Sequence, residues 1–261
     1  EKECMDVGHR ISTKGAMSIL CLVDGSNQAD LAFKSCLNMR RKFDHITVFH
    51  AYREDDGELQ PPTWRHNQLS SKYDIELIGH VPKSLHSLVW VDREGASVNT
   101  VLHRCVDPEF FTKVTKNPSP LAGPPDLIVM GHHGRKGPKD TKGALGTTAD
   151  QALRMLHYPC IIIKTEIPVG PKKIIMAVNE SGASKRGFDI LLRFVNPRDQ
   201  LTVIHLAHPV DLDPTRRHAQ EMMNEYFEKE LREVGPVNSK FETVEFRTGV
   251  PPSQAIADYV N

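Results

Sequence analysis

Short β-branched runs separated by amphipathic stretches are what most limits how this chain can fold. Ser18–Val23, His45–Phe49, Leu88–Val91, Asp126–Met130 and Cys160–Ile163 are each nearly continuous in apolar residues, and each is too short for a helix. Strands buried on both faces read this way, so the pattern predicts a parallel sheet covered by helices, an α/β architecture. Between the first two runs, Ser26 can cap a helix whose Ala29, Phe33, Cys36 and Leu37 share a face. Between the last two, Ala149, Ala152, Leu153 and Leu156 repeat that spacing, with Thr147 or Thr148 as the cap and Pro159 as the stop. Tyr52–Lys83 predicts a long loop leading into one irregular helix. The four prolines of Pro118–Pro125 predict a surface connection.

A Pro/Gly-rich tract, Ile167–Lys172, reads as a linker between two domains, 15–166 and 172–261. Beyond it the chain repeats itself. A shift of 155 maps Ser26 onto Ser181, Phe33 onto Phe188, Thr47 onto Thr202, Val48 onto Val203 and His50 onto His205 without a gap. Ile174–Val178, Gln200–Leu206 and Thr243–Phe246 are the expected strands, and Pro214–Val234 and Pro252–Tyr259 the expected helices. The second copy carries no counterpart of the fourth strand, the glycine-rich segment or the fifth strand. A three-stranded half-sheet with an open edge is a poor place to stop, so more sequence is expected beyond Asn261.

Lys plus Arg number 33 and so do Asp plus Glu, which gives no broad basic surface for nucleic acid or an anionic membrane. No apolar stretch approaches the roughly 20 residues that span a bilayer. Glu1–Lys14 is charged and lacks the apolar core of a secretory signal. The five cysteines are scattered, odd in number and without a CxxC pair, which reads as buried thiols in a reducing, cytoplasmic compartment.

The strongest chemical signal is Gly131-His132-His133-Gly134, then eleven residues, then Gly146-Thr147 opening a helix. An apolar strand ends at Met130, so the segment emerges at the carboxyl edge of the sheet, where such sheets place ligands. Glycines there permit positive φ and let their amides point together at an anion, with the helix dipole and the Thr147 hydroxyl adding to the cradle. Arg135, Lys136, Lys139 and Lys142 outnumber Asp140 in the loop. The plainer reading is a solvated basic loop with turn glycines. Asp24 could meet a ribose or adenine edge, or only help to cap a helix. His50 and Ala51 could border a base, or be ordinary strand-end residues. His132 and His133, adjacent on a turn, should point apart, and no Cys or His stands at ligand spacing nearby, so no metal site is expected. Gly-x-Ser-x-Gly and Walker signatures are absent, as is Gly-x-Gly-x-x-Gly after the first strand.

Taken together, the strand ending in Asp24, the strand leading to His50-Ala51, and the Gly-x-x-Gly followed by Gly-Thr resemble the nucleotide-binding branch of the universal stress protein family. The likeness covers nearly all of Met17–Lys164, and a second, incomplete copy covers Lys172–Asn261. It implies an open parallel five-stranded sheet of order 3-2-1-4-5 of the adenine nucleotide alpha hydrolase-like class, with ATP, ADP or AMP over its carboxyl edge and Mg²⁺ as companion ion. Leu22, Val23 and Asp24 would line the adenosine side and Ala51 the adenine. Met130, Gly131, His133, Gly134 and Arg135 would begin the phosphate cradle, and Gly146, Thr147 and Thr148 would close it. Family members commonly pair through the last strand, which makes Cys160–Ile163 a candidate edge for a homodimer or a pseudo-dimer of the two domains. The eleven-residue loop is longer than the family's usual one, and Asn179 stands in the second repeat where Asp24 stands in the first. One competent site, in the first domain, is therefore expected.

The function implied is that of an ATP-binding stress-response regulator with no catalytic residue. The alternative is a slow ATPase or an autophosphorylating protein. For that reading the loop supplies cations and His133 but a single carboxylate, Asp140.

Overall fold

The computed structural model describes residues 15–52, 62–92, 95–107, 109–110, 124–134, 145–156, 158–179, 181–207, 214–245 and 249–260. They fall into two units, Ala16–Val169 and one built mainly of Gly170–Asn261.

In the first unit β1 (Ser18–Leu22), β2 (His45–Tyr52), β3 (His86–Asp92), β4 (Leu127–Gly131) and β5 (Cys160–Ile163) form one parallel sheet of order β3-β2-β1-β4-β5. β1 lies at its centre, with Ile19, Leu20 and Cys21 fully buried, which is why its run has no polar alternation. Helix α1 (Asn27–Met39) starts at Ser26, whose hydroxyl accepts the Ala29 N–H at 3.1 Å, as its sequence position predicts. Its Ala29, Ala32, Phe33, Cys36 and Met39 are buried, and it packs against β1, β4 and β5. A second cluster joins Leu20, Val89, Ile128 and Met130 to Val101, Leu102 and Cys105 of α3 (Val98–Cys105) and to Ala149 and Ala152 of α4 (Thr147–Met155).

The stretch expected to be loop and irregular helix contains α2 (Pro62–His80), a helix of 19 residues. Pro61-Pro62 suggests a loop, but proline at the first helical position forgoes only an N–H that has no partner there. α2 buries Tyr73 and Leu77, and full burial of a side chain such as Leu77 stabilises by roughly 2 kcal/mol. The Tyr73 ring stands edge-on to Phe33 at 5.0 Å and its hydroxyl donates to Asp30 at 2.8 Å. Of the proline-rich tract, only Pro124 and Pro125 are among the described residues.

The amino edge of the sheet is closed by buried carboxylates. Asp44, fully buried, accepts the N–H of Met17 at 2.9 Å and of Arg41 at 2.8 Å, and pairs with the Arg41 guanidinium at 3.2 Å. Asp126 accepts the Ser18 N–H at 2.9 Å. Amides at the start of a central strand have no ladder partner, so these oxygens replace the water they lost.

In the other unit β6 (Lys173–Val178), β7 (Gln200–Ala207) and β8 (Asn238–Glu245) form a parallel sheet of order β6-β7-β8. Lys173 faces Gln200 as Ser18 faces His45, each number shifted by 155. Asp199 repeats the part of Asp44, accepting the N–H of Lys172 and of Asn196, both at 2.8 Å. Helices α5 (Gly182–Phe194) and α6 (Pro214–Val234) bury Phe188, Leu192, Phe227 and Leu231 against Val178, Leu201 and Val203. The last described helix is α7 (Pro252–Val260). β8 begins at Asn238 rather than Thr243 because polar residues alternate through it, Asn238-Ser239-Lys240-Phe241-Glu242. Leu20 and Cys105 are 0% exposed, whereas Ile175 and Val260, 155 residues on, are 41% and 56% exposed. No helix among the described residues is long and apolar enough to cross a membrane.

His45 is fully buried, its Nδ1 3.5 Å from Thr47 Oγ1 and its Nε2 3.3 Å from Ser87 Oγ. Burial first, then the His86 ring, lowers its pKa from 6.5 to about 4. The fold therefore prefers the neutral ring, and between those values the unfolded chain binds the extra proton. The contribution is full above pH 6.5 and is lost as pH falls toward 4, on the order of 3 kcal/mol in total. Both tryptophans, Trp64 and Trp90, lie in this unit, so their fluorescence reports its unfolding. Urea titrations at about pH 7 and about pH 4.5 should show His45→Gln losing less stability on acidification than the parent chain. Equal losses in the two proteins would contradict this account.

Candidate functional site

Strand order sets the location of the site. From β1 the chain crosses through α1 to β2 on one side, while from β4 it crosses through α4 to β5 on the other. The carboxyl ends of β1 and β4, paired from Ile19↔Leu127 to Leu22↔Met130, thus flank the crevice where connections diverge.

On the β1 side Val23 is buried and its N–H continues the ladder to Phe49 O at 2.9 Å. The Val23 carbonyl lies 2.7 Å from His50 Nδ1, so that nitrogen carries the hydrogen. His50 is itself buried, with Trp90 edge-on at 4.8 Å. Asp24 Oδ1 accepts the Ser26 N–H at 3.0 Å across Gly25, whose φ is +76°. Asp24 thus shapes the turn into α1, while Ser26 makes the cap.

On the β4 side three glycines are required by close approach. A Cβ on Gly131 would sit 2.7 Å from the backbone of Gln28 in the first turn of α1. One on Gly134 would lie 2.8 Å from Asp24 Oδ2, and one on Gly146 would lie 3.1 Å from His133 Cα and 3.3 Å from the Gly134 nitrogen. None of the three has positive φ, unlike Gly25, Gly95, Gly170 and Gly249. The positive φ that glycine permits is therefore not used at these three positions: their lack of a side chain is what the site uses. The Gly146 N–H donates to His132 O at 2.9 Å and the His132 N–H to Ile163 O at 2.8 Å. These bonds draw the two ends of the loop into a neck. Residues 135–144, and with them Arg135, lie outside the described residues.

Helix α4 has Gly146, not Thr147 or Thr148, as its N-cap, and no side chain caps it. Helix geometry leaves the first-turn amides after Gly146 without intrahelical acceptors, and Thr147 and Thr148 are exposed. The head of α4 thus has no side-chain cap, whereas α1 has the Ser26 hydroxyl on its Ala29 amide. Leu22, Ala51, Val91 and Leu145 sit half-buried against the apolar cluster that holds Met130. The twelve predicted site residues, apart from Arg135, occupy the ends of β1, β2 and β4 and the start of α4.

His132 and His133 depart from expectation. Their rings do not point apart: Nδ1 of His132 and Nε2 of His133 are 2.8 Å apart. Gln28 and His50 carried no signal as supports, because one acts through its backbone and the other reads as a strand end. Groups of three or more Cys, His, Asp or Glu at metal-binding spacing are absent among the described residues.

Gly131→Ala sets a methyl against main chain that cannot swing away, whereas Gly134→Ala meets the end of one carboxylate. Gly131→Ala should therefore cost about 2–3 kcal/mol in urea unfolding and Gly134→Ala clearly less. Equal effects would mean that β4 is not seated on α1 as described.

No protein-family model matches the sequence, and no curated protein does. Among solved structures, a universal stress protein from Archaeoglobus fulgidus gives a TM-score of 0.52 at 18% identity, covering 93% of this chain and 82% of its own. The universal stress protein UspA from Lactobacillus plantarum gives 0.39 at 17% identity, covering 57% of this chain and 97% of its own. A member of the universal stress protein family from Burkholderia pseudomallei gives 0.34 at 16%, covering 56% and 95%. With its strand order β3-β2-β1-β4-β5 and helices on both faces, the chain has the fold of the universal stress proteins.

Proposed function

We propose that this protein is an ATP-binding regulator of the universal stress protein type, holding ATP, ADP or AMP in the crevice between the ends of β1 and β4. The observation that carries the reading is the uncapped start of α4, pinned by the Gly146–His132 bond beside Gly134. First-turn amides that no described side chain caps, beside glycines that let the main chains approach closely, suit a phosphate chain. The half-buried Leu22, Ala51 and Val91 suit the flat, apolar faces of an adenine.

In this reading Met130, Gly131, His133 and Gly134 begin the cradle and Gly146, Thr147 and Thr148 close it. Asp24, at the carboxyl end of β1, stands on the adenosine side of the crevice. Mg²⁺ would be held chiefly by the phosphates. Bound nucleotide stabilises whichever conformation or assembly binds it better, which is all that regulation requires. β5 is the end strand of its sheet and its Cys160, Ile161 and Ile162 are half-buried, which supports the proposal that a second copy pairs there. Cys21, Cys36 and Cys105 are buried free thiols, in keeping with a reducing cytoplasm. In the second unit Asn179 Oδ1 accepts both the Ser181 N–H at 3.1 Å and the Ser184 hydroxyl at 2.7 Å. That side chain is spent on its own helix, which supports assigning the nucleotide to the first unit alone.

Calorimetric titration of the full chain with ATP, ADP, AMP and NAD tests the reading. Adenine nucleotides should bind, and Gly146→Ala, which crowds His133 and Gly134, should weaken binding at least about tenfold, near 1.4 kcal/mol. Unchanged affinity in the folded variant would move the site elsewhere. Turnover of labelled ATP in the same samples separates a regulator from a slow ATPase.

A further inference from the structure

Two histidine rings lie in contact within the loop that follows β4. His132 and His133 stand nearly perpendicular, centroids 4.1 Å apart, with His132 Nδ1 and His133 Nε2 at 2.8 Å. At that distance one nitrogen carries the hydrogen and the other presents its lone pair. Whichever donates, His133 Nδ1 is buried with no hydrogen-bond partner among the described residues. If His132 donates, that atom of the neutral ring is an N–H without an acceptor. If His133 donates, it is a lone pair without a donor. Either state costs about 1–3 kcal/mol.

An arriving acceptor removes that cost in the neutral pair by taking the Nδ1 hydrogen, and a negatively charged one also favours an added proton. His133 can then donate from Nε2 to His132 and from Nδ1 to the newcomer. Without an anion the pair resists that proton: burial first, then the His133 ring and the Lys164 ammonium, lower the basicity of His132. Among the described residues, the charged group acting on the pair is Lys164 beyond β5, and Asp24 beyond β1 lies close enough to Gly134 that a Cβ there would meet its Oδ2 at 2.8 Å. A phosphate adds the negative charge that tips this balance.

We propose that nucleotide binding at this crevice is proton-linked: the phosphates bring the acceptor that His133 Nδ1 lacks, and the His132–His133 pair takes up a proton as they bind. The inference rests on the nucleotide reading of the site. By reciprocity, bound nucleotide raises the proton affinity of the pair by the factor by which the proton raises nucleotide affinity. Acidification of the surroundings therefore fills the site.

The test is calorimetry of the full chain with ATP and Mg²⁺ at about pH 6.5, in two buffers of different ionisation enthalpy. The parent should take up about half a proton or more, and its Kd should tighten about five- to tenfold from about pH 7.5 to about pH 6. His132→Gln and His133→Gln should each lose that excess uptake and the steep pH dependence. Ionisation of the nucleotide's own phosphates is common to all three proteins and cancels in the comparison. Should the variants not fold, imidazole ¹⁵N shifts of the parent serve instead, the midpoint of the pair rising by about one pH unit when ATP is added. ATP binding with no more uptake than the variants, or with an unmoved midpoint, overturns the proton linkage and leaves the nucleotide site standing. Absence of ATP binding at every pH overturns both.

Discussion

Main chain meeting main chain without intervening side chains is the constraint on which this molecule's crevice depends. β4 can end against the first turn of α1 only because Gly131 carries no Cβ, and α4 can begin beside His133 only because Gly146 carries none. These contacts bring two helix starts to one place at the centre of the sheet. A methyl at either position would force them apart, since backbone has no rotamer with which to give way. The local geometry is then fixed by a few short hydrogen bonds, above all the one from Gly146 to the His132 carbonyl.

The two edges of the sheet are built on opposite principles. At the amino edge every conspicuous donor is answered: Asp44 takes the amides of Met17 and Arg41, Asp126 takes that of Ser18, and the neutral His45 ring lies between hydroxyls. At the carboxyl edge, among the described residues, no side chain caps the head of α4 and one imidazole nitrogen goes unanswered. Stability is concentrated where nothing needs to bind, and unmet bonding capacity where something can. Such a division is common in α/β proteins, whose rigid sheet carries the cost of an imperfectly satisfied rim.

Much of this was legible in the sequence. Apolar runs without alternation located the strands of the first sheet to within three residues, and Ser26 identified the start of α1. The order of the strands came only from resemblance, because pairing between distant segments leaves no local trace. α2 was read too loosely because Pro61-Pro62 and a polar surface obscured a helix held chiefly by Tyr73 and Leu77. The first residues of β8 were missed because polar residues break up its apolar run. At the site the glycines were found but not the close approaches that require them, since a positive φ and a close approach favour the same residue and only coordinates tell them apart. The contact between His132 and His133 could not be foreseen, since ring directions on a turn depend on neighbours distant in sequence.

The aspartates at the amino edges have their own consequence. Asp44 and Asp199, 155 residues apart, each take two main-chain amides where a strand begins. One short side chain thereby ties a strand to the turn beside it in each unit. Trimming either carboxylate to a methyl would bare two donors at once, so the two units share a point of fragility as well as a plan.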